Sequence, residues 1–129
     1  MNVVYSFFIF IYIIAIKIRS LFNVKDAKWI KGRKKWKEYA GLINPCNDKL
    51  AWFHCASLGE FEQGRTVIEA FKNEFPNWKI LLTFFSPSGY EIRKNYETAD
   101  YIMYLPADTA SNAKYFVDII KPDIAFFVK

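Results

Sequence analysis

Hydrophobic and polar positions divide the chain into three stretches. From Val3 to Ile16 the sequence VVYSFFIFIYIIAI carries no charge, and the apolar character continues past Lys17 and Arg19 to Leu21 and Phe22. Its β-branched and aromatic residues fall on every face of a helix rather than in one stripe, which argues against an ordinary core helix. If the two cations snorkel, the run reaches about 20 residues, just enough to cross a bilayer. Residues 1–22 are therefore expected to form a membrane anchor helix. A cleaved signal peptide is the rival, but its cations should precede the apolar run, and no small-x-small cleavage site follows Ile16.

Past a loop containing Asn44, Pro45, Cys46, Asn47 and Asp48 the pattern becomes regular. Residues 50–56 make a short apolar run of strand length, followed by a helical stretch over about 59–75 with Gly64, Val67, Ile68, Phe71 and Phe75 on one face. A second strand over 79–85 leads through Ser86, Pro87, Ser88 and Gly89 into a short helix ending near Tyr96. The third strand is 101–105. Pro106 and Asp108 then open a helix over about 109–120, with Ala113, Phe116, Val117 and Ile120 inward, and Pro122 precedes a fourth strand over 124–128. This alternation predicts an α/β fold, a Rossmann-like, open, parallel, doubly wound sheet over residues 49–129. Ligands should gather at the carboxyl ends of its strands. The chain stops at the end of the fourth strand, so the half-sheet is expected to be the front part of something longer.

Composition narrows the class. At 129 residues, with 53% hydrophobic and 19% aromatic residues and only five Gly and five Pro, the chain holds one domain and is neither disordered nor collagen-like. Cys46 and Cys55, with one histidine, are too few for a disulfide scaffold or a four-ligand zinc site within the chain. A reducing compartment fits, and no metal is expected. Charge is uneven: residues 17–37 hold nine Lys and Arg against Asp26, a local +8, leaving −3 for the remainder. A basic block beside an apolar one points to the anionic membrane surface rather than to nucleic acid, for which no recognition element follows. By the positive-inside rule the rest of the chain is expected to lie in the cytoplasm. Residues 23–48 are expected to form a basic and aromatic juxtamembrane segment. Its Trp29, Trp36 and Tyr39 suit either an interfacial position or packing against the domain.

The first strand-to-helix corner reads His54, Cys55, Ala56, Ser57, Leu58, Gly59, Glu60. Ser57 with Glu60 three residues later is a capping box, and a carboxylate on a ligand-facing loop is also able to take a proton from a hydroxyl. Spacing alone favours the cap and leaves the choice open. A lone strand histidine such as His54 is most often a packing residue, and Cys55 a small buried hydrophobe. Ser86 with Pro87 reads as a second helix entry whose free amides could hold a phosphate or a sugar hydroxyl, and Asp108 as a cap at the third.

The stretches WFHCASLGEFEQGR (52–65), LLTFFSPSGYE (81–91), YLPAD (104–108) and PDIAFFVK (122–129) together resemble the N-terminal part of 3-deoxy-D-manno-octulosonic acid (Kdo) transferases. The resemblance covers nearly the whole chain. It implies the acceptor domain of a GT-B glycosyltransferase that moves Kdo from CMP-Kdo to a hydroxyl of the lipid A precursor in lipopolysaccharide synthesis, at the cytoplasmic face of the bacterial inner membrane. It implies Glu60, in the S-x-G-E motif, as general base, reversing the preference from spacing. Ser57 and Gly59 would shape that loop, and Ser86, Ser88 and Gly89 would line the acceptor cleft. No cofactor is implied, because CMP-Kdo would bind a donor domain missing from this chain, which is therefore expected to be inactive alone. A membrane-tethered lipid-binding module without catalysis, and a GT-B relative with another sugar donor, are the alternatives.

Overall fold

The structure is a computed structural model that describes residues 3–43 and 48–129, so most of the loop at 44–48 lies outside the described residues. Helices α1 (Val3–Arg19), α2 (Val24–Arg33) and α3 (Trp36–Leu42) precede the alternation β1 (Leu50–Cys55), α4 (Leu58–Glu74), β2 (Lys79–Phe84), α5 (Pro87–Arg93), β3 (Tyr101–Tyr104), α6 (Ala110–Ile120) and β4 (Ile124–Val128). The four strands form one parallel sheet in the order β3-β2-β1-β4. The expected open α/β sheet is present, and each predicted strand begins where expected and ends within one residue of its predicted end.

Alternation along the strands feeds two cores. Leu50, Trp52, Leu81 and Met103 face Trp36, Ala40, Phe116 and Ile120 from α3 and α6. Ala51, Phe53, Cys55, Ile80, Leu82 and Phe84 face Phe61 and Ile68 from α4. The central strands β1 and β2 are apolar on both faces because both faces are covered. Gly64 lets α4 lie directly on the sheet, since a Cβ there would meet Val128 Cγ2 at 2.7 Å. The inward face of α4 is narrower than its periodicity predicts. Phe61, Gly64 and Ile68 are buried, whereas Val67 and Phe75 are exposed. Val117 of α6 is also exposed.

The N-terminal third departs furthest from expectation. Helix α1 has 17 residues and ends at Arg19, so at about 1.5 Å per residue it falls short of the ~30 Å hydrocarbon core. No helix among the described residues is long and apolar enough to cross a membrane. The transmembrane expectation finds no support here, because the helix ends at Arg19, before Leu21 and Phe22 are reached. One side of α1 packs on the domain through Ile16 and an edge-to-face contact of Tyr12 with Trp29, while Phe7, Phe8, Phe10 and Ile18 remain exposed. Residues 24–42 are mostly helical, and the question left open for the aromatics resolves inward for two of three. Trp29 and Trp36 are buried, Trp36 against Tyr115 and Phe116, whereas Tyr39 is exposed. Helix α2 reaches the end of β3 because Gly32 has no Cβ, which would strike the Tyr104 ring.

Candidate functional site

The strand order reverses between β1 and β4, and open α/β sheets bind ligands in the crevice outside the carboxyl ends at such a point. The corner after β1 lies there. Ser57, in extended backbone, caps α4 by accepting from Glu60 N at 3.4 Å, and Glu60 Oε2 accepts from Ser57 N at 3.2 Å and from Ala56 N. The capping box is thus formed. It also orients the carboxylate: Oε2 is occupied by two amides, while Oε1 has no hydrogen-bond partner among the described residues. Gly59 leaves the surface beside it open, the nearest atom to a Cβ there being Ser57 Oγ at 3.9 Å. Ser57→Ala is expected to cost about 1 kcal/mol of stability in urea titration, the usual worth of such a cap.

The second corner is joined to the first by Ser86 N donating to Ala56 O at 2.8 Å. Ser86 does not cap α5 with its side chain, as its sequence position predicts. Its hydroxyl pairs with that of Ser88 at 2.7 Å instead. Gly89 is buried, with the Phe84 ring where a Cβ would stand. At the third corner the cap is Thr109, which accepts from Asn112 N at 3.2 Å, not Asp108. Asp108 instead accepts from the Tyr5 hydroxyl of α1, a long-range partner that local pattern could not reveal.

Beneath these corners lies a polar line within the sheet. Trp52 Nε1 donates to Thr83 Oγ1 at 2.8 Å, and His54 Nδ1 lies 2.9 Å from the same oxygen. Arg33, at the end of α2, is buried and donates to Trp29 O at 3.2 Å and Phe85 O at 2.6 Å, with its guanidinium 3.9 Å from the Trp29 ring centre. Burial pushes its pKa down to about 9. On sequence, Arg33 was one cation in a basic run and Thr83 one residue in an apolar strand. Only the register of β1 on β2 and the docking of α2 bring them to this edge. Burial, with the Glu60 charge adding, pushes the Cys55 thiol up to about 12. Native protein should therefore leave Cys55 unreactive toward a thiol reagent at pH 8, with labelling at this position appearing only on unfolding.

Between α1 and the sheet is an apolar cavity of about 500 Å³, floored by Trp52, Phe116 and Phe127 and roofed by Tyr5, Ile9 and Ile13. Its roof runs over nine residues of helix, from Tyr5 to Ile13, about 12 Å. Its volume is within the range of small-molecule sites, about 300–1,000 Å³.

Residues 34–129 match the family model described as 3-deoxy-D-manno-octulosonic-acid transferase. Several curated relatives carry the name 3-deoxy-D-manno-octulosonic acid transferase. That of Chlamydia trachomatis serovar D is 32% identical over 97 residues, 71% of this chain and 22% of the relative. That of Rickettsia bellii is 29% identical over 121 residues, 92% and 28%. That of Aquifex aeolicus is 33% identical over 88 residues, 67% and 24%. The chain spans about a quarter of the length of these relatives.

Proposed function

The chain belongs to the 3-deoxy-D-manno-octulosonic acid (Kdo) transferase family, and from that membership we propose that it forms the acceptor side of a transfer of Kdo from CMP-Kdo to a hydroxyl of a lipid A precursor. Glu60 Oε1 takes the hydroxyl proton. The acceptor oxygen forms a bond to the anomeric carbon as the bond from that carbon to the CMP phosphate breaks, with CMP leaving and the centre inverting. The observation that carries this reading is the Glu60 carboxylate at the β1/β4 crevice, one oxygen pinned by amides and the other without a partner among the described residues. Two amide donors fix its direction, which a proton acceptor in a transition state needs. The donor sugar is bound by a second domain, as the family resemblance implies. An acceptor site alone lacks the contacts that stabilise the transition state.

The apolar cavity supports a lipid acceptor, since its lining offers mainly carbon, and two of the polar side chains on it, Tyr5 and Asp108, are hydrogen-bonded to each other. The cationic residues of 17–37 and the exposed apolar side of α1 fit attachment along the cytoplasmic face of the inner membrane. Co-sedimentation with anionic vesicles should exceed that with neutral ones and weaken between about 0.1 M and about 1 M salt, as the Debye length falls from ~10 to ~3 Å. Equal binding to both vesicle types would remove the electrostatic part of this reading.

The decisive experiment measures transfer from CMP-Kdo to lipid A precursor in membranes, with the chain alone and with the donor domain of a relative added. Activity only on addition is the expected result. A second reading, a lipid-binding module without catalysis, draws on the completed capping box, which gives Glu60 a structural task of its own.

A further inference from the structure

We propose that His54 is a ligand-binding residue, held by Thr83 as the Nε2–H tautomer so that Nε2–H donates to a sugar oxygen of the acceptor next to the hydroxyl that Glu60 engages. The proposal rests on the acceptor reading above, but its first test does not.

Trp52 and His54 lie two residues apart on β1 and so share a face of the sheet. The parallel register sets His54 beside Thr83 on β2 and Phe127 on β4, at the carboxyl end where the strand order reverses. Thr83 is fully buried, and its hydroxyl has one hydrogen and two lone pairs. The Trp52 indole can only donate, so it fills one lone pair from 2.8 Å. If His54 Nδ1 carried the hydrogen instead, toward Thr83 Oγ1 at 2.9 Å or toward the Thr83 backbone, the Thr83 hydroxyl hydrogen would have no acceptor among the described residues, and its side chain is fully buried. A Thr83 O–H that donates to a bare Nδ1 satisfies all three groups. The ring hydrogen is then on Nε2.

Burial keeps the imidazole neutral by holding its pKa below the ordinary histidine value, against the pull of the Thr83 backbone and the Glu60 carboxylate, with Arg33 adding to the effect of burial. His54 is half-buried, whereas Trp52 and Thr83 are buried. With Nδ1 turned toward Thr83, the opposite edge of the ring, which carries Nε2–H, is the one directed away from that buried pair. A neutral N–H donor and a carboxylate acceptor at one crevice match adjacent oxygens of a sugar, one accepting and one donating.

The chain has one histidine, so a long-range proton–nitrogen spectrum of the 15N-labelled protein reports His54 alone. The expected spectrum has a protonated Nε2 and a bare Nδ1, and Thr83→Val should release a mixture of tautomers. Lipid A precursor added in micelles should shift the Nε2–H signal. With a donor domain present, His54→Ala should raise the acceptor KM about tenfold, the order expected for one lost hydrogen bond, with a smaller fall in kcat. His54→Gln, which keeps an N–H near the same position, should recover most of that loss. A ring protonated on Nδ1 overturns the proposal, as does an Nε2–H signal indifferent to the acceptor or an unchanged KM in His54→Ala. If the unaltered protein transfers no sugar in any combination, the transferase reading fails, while the tautomer and its response to the acceptor still decide the role of His54.

Discussion

Glu60→Gln, assayed with a donor domain present, is expected to lower transfer at least ~100-fold, the lower end of what a positioned general base supplies. The substitution is nearly isosteric, and its amide oxygen is able to accept from Ala56 N and Ser57 N as Oε2 does now. Glutamine also serves in the third helical position of a capping box. The fold should therefore survive with a change of only a few tenths of a kcal/mol, while the basic lone pair on the other oxygen is lost. Rate and stability are thus expected to separate. Transfer that persists within a factor of a few, in a protein of unchanged stability, would falsify Glu60 as the base and leave it as a cap.

The largest stability effect should come from Phe53 of β1, on the face of the sheet that α4 covers. Phe53 is almost completely buried, stacked on Phe126 with ring centres 4.6 Å apart and met edge-on by Phe71 at 5.6 Å. Phe53→Ala removes a ring from between two sheet neighbours and a helix, with little freedom for β1 to collapse while it is hydrogen-bonded on both sides. The expected loss is about 3–5 kcal/mol, against ~5–15 kcal/mol for a whole domain. Urea titration should show a lower midpoint with an unchanged slope. A loss below ~1 kcal/mol would mean that the Phe53 contacts with Phe71 and Phe126 add little to the fold.

Much of the sheet was legible because apolar runs of strand length, separated by Gly, Pro and Ser, have few competing explanations. Helix faces were less so. Period alone marked Val67, Phe75 and Val117 as inward, but how wide a stripe is covered depends on how closely each helix docks. That distance is set by contacts such as Gly64 on Val128. At the site, the Ser57–Glu60 box could be read from four consecutive residues and is formed as written. Everything resting on register was hidden. Asp108 was read as a cap while its carboxylate accepts from a residue 103 positions away, and Thr83 gains meaning only beside Trp52 and His54. The length of the N-terminal helix was not legible, because hydropathy counts residues and does not see the turn after Arg19.

The docking of α2 gives the molecule a load path. Gly32 rests on the Tyr104 ring and Arg33 is bonded to the Phe85 carbonyl, so the helix is fastened to the ends of β3 and β2 rather than to the middle of the sheet. Tension applied through α1 and α2 is delivered first to the corners carrying Ser86 and Leu105, where single backbone bonds such as Ser86 N to Ala56 O resist it. The hydrogen-bonded interior of the sheet bears it last. Through the Ser86–Ala56 hydrogen bond the attachment of α2 reaches the corner where Glu60 is held.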